Sequence, residues 1–134
     1  MKANGHRVGD YASQMLDMVV VASAKTEVDL VVASVAELGF KSGATYEAIC
    51  TRAKKEFGLE RCPAEVGPKL RLEYNQPYGE LLRIAMEPIS DSSGGLYIFG
   101  VDYDNNNRWL YGYYGYHDYF WYGIYRFVFV RPRK

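Results

Sequence analysis

The segment RWLYGYYGYHDYFWYGIYRFVFVR, residues 108–131, has a composition unlike the rest of the chain. It holds seven of the thirteen tyrosines and both tryptophans. A hydrophobic core disfavours so much tyrosine because every buried hydroxyl needs a hydrogen-bond partner. A solvent loop disfavours so much aromatic surface. Tyrosine mixed with glycine is typical of binding surfaces, because tyrosine offers stiff amphipathic contact area and glycine shapes the backbone beneath it.

The remaining sequence predicts one α+β domain over residues 1–134, with early helices packed on a late antiparallel sheet. Thr45 and Gly58 have the residue types of an N-cap and a C-cap for the clearest helix, and Asp10 is a candidate cap for an earlier one. Residues 1–9 are expected to be loose. The strand over residues 28–35 is expected to be partly buried on both faces. The pattern predicts helices over residues 10–24, 46–57 and 63–66, and strands over 28–35, 69–74, 80–89, 96–103, 108–111 and 125–130.

Composition restricts the class of protein. The formal net charge is zero, which argues against a protein that mainly coats nucleic acid or an anionic membrane. No stretch is long enough to span a bilayer, and acidic residues precede the short apolar run over residues 18–24, so a cytoplasmic protein is expected. Cys50 and Cys62 are expected to be free thiols, because only two histidines accompany them and no zinc-ligand spacing is present.

No catalytic pattern stands out, so the chain is predicted not to be an enzyme and to need no metal or cofactor. His117 and Asp118 are adjacent in sequence, which prevents the usual orienting pair. Asp102, Asp104 and Asp118 are potential metal ligands, but acidic residues beside glycine and asparagine more often form turns. Two alternatives remain. One is a self-associating Tyr/Gly segment. The other is a single-stranded nucleic-acid site with stacked tyrosines beside Arg108, Arg126, Arg131, Arg133 and Lys134.

The tyrosines and glycines of the segment alternate in a way that resembles a known family. An asparagine-rich pattern, WLN-G-NN-G-N-x-D-N-x-W-N-G-N-N-RFVFV, is found in the variable regions of proteins diversified by diversity-generating retroelements. Those elements recopy the end of a gene with errors at template adenines, and codons for tyrosine, histidine, aspartate and isoleucine lie one base from asparagine codons. The positions here that match the variable asparagines are Tyr111, Tyr113, Tyr114, Tyr116, Tyr119, Tyr122, Ile124 and Tyr125, with His117 beside them.

The resemblance implies a scaffold over residues 1–103 and a hypervariable binding surface over residues 104–127. The residues that match the invariant frame are Trp109, Leu110, Gly112, Gly115, Asp118, Trp121, Gly123, Arg126 and Phe127. Proteins of this family usually have a C-type-lectin fold that ends in a core strand, which RFVFVRP resembles. No calcium-site motif is present, so sugar binding is not implied.

The sequence therefore predicts a non-enzymatic ligand-binding domain whose diversified tyrosines point outward and recognise a protein, with single-stranded nucleic acid as the alternative partner and no membrane role. The predicted ligand-binding residues are the eight matching positions and His117. Alanine at Tyr113, Tyr114 and Tyr119 is expected to leave thermal unfolding nearly unchanged while abolishing binding. The sequence indicates no oligomeric state.

Overall fold

The computed structural model describes residues 6–16, 29–90, 93–104 and 107–132. Asn105 and Asn106, residues 17–24 of the first predicted helix, and Arg133 and Lys134 of the predicted basic set lie outside the described residues. The elements in chain order are β1 (His6–Val8), α1 (Asp10–Leu16), β2 (Asp29–Ser34), β3 (Ala44–Thr45), α2 (Tyr46–Phe57), α3 (Val66–Glu73), β4 (Leu81–Ile84), β5 (Ile89–Ser90), β6 (Leu96–Asp104), β7 (Asn107–Tyr114), β8 (Phe120–Trp121) and β9 (Arg126–Arg131).

The main sheet has the order β1-β7-β6-β4-β9-β2, and β5 pairs with the end of β6. Most neighbours are antiparallel, whereas β1–β7 and β4–β9 are parallel. A separate two-stranded sheet joins β3 and β8. The mixed α+β class is confirmed. The expectation of early helices on a late sheet is only partly right, because the early strands β1 and β2 belong to the same sheet as β9.

The best-defined helix is α2, which begins and ends where the sequence predicts. The Thr45 side chain accepts a hydrogen bond from the Ala48 amide at 3.3 Å, and Gly58 adopts a left-handed conformation with φ of 66°. Tyr46, Ile49 and Ala53 are buried along one face. Phe57 is half exposed, so the last turn of the helix extends past the core.

The prediction for residues 63–74 is wrong. Instead of a short helix followed by a strand, one helix, α3, spans Val66–Glu73. Pro68 falls in its first turn, where no backbone amide is needed for an intrahelical bond, so Gly67 and Pro68 do not stop the helix. Gly67 is also required by packing, because a Cβ there would lie 2.7 Å from the Phe99 side chain.

Two of the early strands differ from expectation. Residues 6–8, predicted to be loose, form β1 and pair with β7. Strand β2 was expected to be partly buried on both faces, but Leu30 and Val32 are exposed at 38% and 47%. The reason is topological: among the described strands β2 pairs only with β9 and lies at the sheet edge.

The sheet is covered on both faces. On one face, Phe99 of β6 contacts Gly67 of α3. The next residue, Gly100, faces the other way, and Arg83 is paired with Gly100 and with Phe127. Arg83 therefore points to the opposite face of the sheet. On that opposite face the Tyr46 ring of α2 lies 5.9 Å from the Phe127 ring. Cys50 and Cys62 are free thiols, as predicted. No helix among the described residues is long and apolar enough to cross a membrane.

Buried polar side chains tie the helices to the sheet. The Tyr46 hydroxyl donates to the Met86 carbonyl at 2.6 Å and accepts from the Met86 amide at 2.8 Å, so both of its hydrogen-bonding capacities are used. On the other face Arg71 is fully buried, and its Nη1 atom donates to the carbonyls of Asp102 and Trp109 and to the Gln76 side chain. Helices α2 and α3 are thus each fixed to the sheet by specific hydrogen bonds.

We expect Tyr46→Phe to lower the free energy of unfolding by about 1–3 kcal/mol, because it leaves the buried Met86 backbone groups without their partner. Urea denaturation followed by far-ultraviolet circular dichroism measures this change. Tyr116→Phe is the control, since it removes a hydroxyl from an exposed ring and should change stability by less than about 0.5 kcal/mol. Equal effects of the two substitutions would show that the Met86 contacts do not stabilise the fold.

Candidate functional site

The predicted binding residues divide into an exposed and a partly buried group. Tyr111, Tyr113 and Tyr125 are partly buried. The other six side chains are exposed, up to 62% for Tyr122 and 84% for Ile124. We define the tyrosine surface as the exposed side chains of Tyr114, Tyr116, His117, Tyr119, Phe120, Tyr122 and Ile124.

Phe120 was not among the predicted residues. Its side chain is 47% exposed and its ring lies 5.4 Å from the Tyr122 ring. Exposed and buried residues alternate from Phe120 to Ile124, with Trp121 and Gly123 buried. Because side chains alternate along extended backbone, the assignment of Trp121 to the frame was a signal that Phe120 points outward.

The backbone beneath the tyrosine surface is held by the first turn of α2. The amides of Tyr46 and Glu47 have no partner within the helix, and they donate to the carbonyls of Tyr119 and His117, both at 2.9 Å. Next to these bonds, β8 pairs with β3 in the register Thr45 with Phe120. The helix N-terminus thereby stabilises two carbonyls of an otherwise irregular loop.

Further backbone bonds fix both ends of this loop. The Gly115 amide donates to the Leu96 carbonyl at 2.9 Å, and the Gly123 carbonyl accepts from the Ala36 amide at 3.0 Å. The Tyr125 carbonyl accepts from the Val35 amide at 2.9 Å. All of these bonds use main-chain atoms, so replacing a side chain of the tyrosine surface removes none of these donors or acceptors.

Two glycines are required by close approach of the backbone. A Cβ atom at Gly123 would collide with the Lys41 carbonyl oxygen, and one at Gly115 would lie 2.9 Å from the Ile98 side chain. Both are among the residues that match the family's frame. The scaffold therefore contacts the loop directly at these positions, and any side chain would displace it.

Trp121 connects the core to the tyrosine surface. Its indole is buried and makes edge-to-face contacts with the Phe127 ring at 5.4 Å on the core side and the Tyr119 ring at 5.1 Å on the surface side. The Tyr125 and Tyr113 rings pack against it at 5.2 and 6.2 Å. Such pairs are favourable beyond the apolar area they bury, so Trp121 orients several neighbouring rings.

Tyr113 lies deeper than predicted. Its hydroxyl donates a hydrogen bond to the buried Asp102 carboxylate, and its ring covers Gly100, where no side chain could fit beneath it. Burial raises the pKa of the Tyr113 hydroxyl well above its usual range. Tyr113 thus has contacts in the protein for both its ring and its hydroxyl, and the expectation that it simply points outward is not met.

Among the residues that the structure describes, Asp102 is the one buried carboxylate, at 1% exposure. Burial raises its pKa to about 6, and the hydrogen bond from Tyr113 and the positive charge of Arg83 oppose that rise. Its Oδ1 atom has no hydrogen-bond partner.

Tyr111 and Tyr125 are the other two partly buried positions. The Tyr111 ring stacks on Trp109 with centroids 4.8 Å apart and planes within 10°. Tyr125 packs on Trp121 and on the core. Both side chains are partly buried, which distinguishes them from the exposed Tyr122 and Ile124.

The residues considered for catalysis, metal binding and nucleic-acid binding do not lie together. His117 and Asp118 are both exposed, and Asp102 and Asp104 lie on the body of β6. Among the described residues no cluster of three or more His, Cys, Asp or Glu side chains has the geometry to hold a metal ion. Arg126 and Arg131 occupy opposite ends of β9, roughly 16 Å apart for a strand of this length, and Arg108 interacts with Asn75 and the Tyr103 ring.

A groove of about 630 Å³ adjoins the tyrosine surface at Ile124. It is lined by residues of β2 and of the turn that follows, among them Val32, Glu37 and Lys41, and by Arg126 of β9. The exposed area around Ile124 is therefore continuous with a depression that carries charges of both signs.

No protein-family model, curated protein sequence or solved structure matches the chain.

We expect Tyr113→Ala to lower the free energy of unfolding by about 2–4 kcal/mol, because it removes a partly buried ring and leaves the Asp102 carboxylate without its donor. Tyr122→Ala, which removes an exposed ring from the same loop, should change it by no more than about 0.5 kcal/mol. Urea denaturation of both variants measures the contrast. A Tyr113→Ala protein as stable as the Tyr122→Ala protein would contradict the placement of Tyr113.

The ionisation of Asp102 should make the free energy of unfolding depend on pH. Its pKa in the folded protein, about 6, is above the ordinary value of 3.8, so between these values the folded state binds more protons than the unfolded state. Stability from this group is therefore greatest below pH 3.8 and falls as pH rises to about 6. We expect the stability of the wild-type protein minus that of Asp102→Asn to decrease across this range and then level off. A difference that is constant with pH would contradict the raised pKa.

Proposed function

We propose that this protein is a non-enzymatic binding domain that recognises a protein partner through the tyrosine surface. Aromatic side chains that are exposed together but rigidly supported are typical of the residues that dominate protein interfaces. Here the Tyr119 ring lies 5.4 Å from the Tyr114 ring, and the Phe120 ring lies 5.4 Å from the Tyr122 ring, so the exposed aromatic side chains form two groups of rings in contact. Apolar area of this extent on a water-exposed loop indicates a contact surface.

The observation that supports this proposal best is the separation of roles between backbone and side chain. The loop is fixed by main-chain hydrogen bonds to α2, to β6 and to the turn after β2, and the side chains of Tyr122 and Ile124 project into solvent. Replacing such a side chain changes what the surface can bind without removing the bonds that shape it. A rigid loop also loses little conformational freedom on binding.

We further propose that the domain is a variable protein of the retroelement type with a C-type-lectin-like fold. The interleaving of frame and variable positions supports this proposal, as does a mainly antiparallel sheet in which β9 carries the RFVFV motif. The gene's surroundings provide a test. A neighbouring reverse transcriptase and an imperfect copy of the 3′ end that differs only at adenines are expected, and their absence would contradict the proposal.

Protein is favoured over single-stranded nucleic acid because, among the described residues, Arg108, Arg126 and Arg131 do not surround the tyrosines. Arg126 is at the tyrosine end of β9, but Arg131 is at the other end and Arg108 is engaged with Asn75 and Tyr103. Stacking platforms for single strands require a basic groove along the backbone path. Binding of an oligothymidine of about twenty nucleotides, with an affinity that falls steeply as salt increases, would favour the nucleic-acid alternative instead.

A peptide selection tests the proposed function directly. A phage-displayed library of disulfide-constrained peptides is selected against the wild-type protein, and the enriched peptides are measured against a variant with Tyr114, Tyr122 and Ile124 all replaced by serine. We expect at least a hundredfold loss of affinity, which corresponds to about 2.7 kcal/mol, with unchanged far-ultraviolet circular dichroism.

The matched control replaces three similarly exposed apolar residues elsewhere, Phe57, Leu72 and Tyr78, with serine. This control variant should retain wild-type affinity for the enriched peptides. Peptides that bind the surface variant as tightly as wild type, or that lose affinity equally for the control variant, would show that the tyrosine surface is not the binding site.

A further inference from the structure

Three aromatic rings converge on one buried arginine beneath the tyrosine surface. The guanidinium carbon of Arg83 lies 4.2 Å from the centroid of the Tyr113 ring, 4.7 Å from that of Tyr125 and 5.5 Å from that of Trp121. The arginine comes from β4, and the rings come from β7, β8 and the turn before β9. One side chain of the scaffold is therefore in contact with three separate parts of the C-terminal segment.

The rings help to compensate for burying this charge. Arg83 is 5% exposed, and its Nε and Nη1 atoms are buried without a hydrogen-bond partner. A buried cation without such partners is unfavourable unless other groups stabilise it. The faces of aromatic rings carry negative potential and attract a guanidinium placed over them. The nearby Asp102 carboxylate, which interacts electrostatically with Arg83, supplies the balancing negative charge.

Tyr113 is held at a second point as well. Its hydroxyl donates to Asp102, and its ring occupies the space left open by Gly100. The ring is thus fixed on its face by Arg83 and at its hydroxyl by Asp102. Since the Trp121 ring contacts Tyr113, Tyr125 and the exposed Tyr119, this arrangement extends to the tyrosine surface itself.

We propose that Arg83 is a positioning residue for partner binding: without touching the partner, it holds Tyr113, Trp121 and Tyr125 in the arrangement that the tyrosine surface requires. The inference rests on the proposed function and divides the predicted binding positions into two groups. Positions 113 and 125 belong to the support of the surface and require an aromatic ring. Positions 114, 116, 117, 119, 122 and 124 carry the specificity and accept other side chains.

Arg83→Met tests the inference, because methionine keeps an unbranched stem and removes the guanidinium. We expect the near-ultraviolet circular dichroism of the aromatic side chains to change, and the affinity for the library-selected peptides to fall at least tenfold although every exposed side chain is retained. Arg83→Lys keeps the charge without the planar group and should recover part of the affinity. A purely structural role would lower stability alone and leave the affinity of the folded fraction unchanged.

Arg52→Met is the matched control. The Arg52 guanidinium also lies over an aromatic ring, that of Phe40 at 4.5 Å, but it bonds the Leu38 carbonyl and is remote from the three convergent rings. We expect wild-type peptide affinity for this variant. The proposal is overturned if Arg83→Met binds the peptides within twofold of wild type, or if Arg52→Met causes the same loss as Arg83→Met.

Nuclear magnetic resonance of the wild-type protein decides the question even if Arg83→Met does not fold. The side-chain protons of Arg83 should be shifted upfield by ring currents relative to those of the exposed Arg126, and the shift should shrink in Tyr125→Leu. Arg83 resonances equal to those of Arg126 would overturn the positioning role. A peptide selection without any enriched sequence would overturn the proposed function alone, since these spectra require no ligand.

Discussion

The hydrogen bonds from the first turn of α2 to the carbonyls of Tyr119 and His117 are the constraint on which the C-terminal half of the structure depends. The amides at the start of any helix lack internal partners, and carbonyls in an irregular loop need donors. In this fold the free amides of the helix donate to the free carbonyls of the loop. The loop is consequently anchored to the helix, although its residues belong to no long strand. These bonds give the aromatic side chains a backbone of defined path.

Polar groups beneath the aromatic rings give the site its second constraint. An entirely apolar layer under the tyrosines would tolerate many ring orientations, because hydrophobic contact has no preferred direction. Arg83 and Asp102 impose direction, the first on ring faces and the second on the Tyr113 hydroxyl. Burying either of these two charges alone is unfavourable. Beneath the tyrosine surface, the defined ring orientations that they impose would offset this cost. The same fold can thus combine a stable body with a precisely oriented surface.

The elements predicted correctly from sequence are those with local signals. Helix α2 has Thr45 and Gly58 at its ends, and β6 lies within one residue of its predicted end. Strand β7 was predicted only in part, because it extends from the predicted residues 108–111 as far as Tyr114. The elements that were missed depend on contacts distant in sequence. Strand β1 pairs with the edge of β7, and α3 packs on β6 where its Gly67 fits against Phe99. For the site, the glycine and tryptophan frame was visible in the sequence, whereas the depth of Tyr113 was not. That depth is set by Gly100 and Arg83, which come from other strands.

Strand β9 is the last of the described strands in the chain, yet it lies in the sheet between β4 and β2. During synthesis on the ribosome, neither β2 nor β4 can find this neighbour until nearly all described residues have been made. The tyrosine-rich loop leaves the ribosome just before β9, so it is exposed while the sheet is still incomplete. Non-local pairing of this kind slows folding and prolongs the exposure of apolar side chains to other chains. The range of side chains that the loop can carry is therefore limited by solubility during folding as well as by the finished structure.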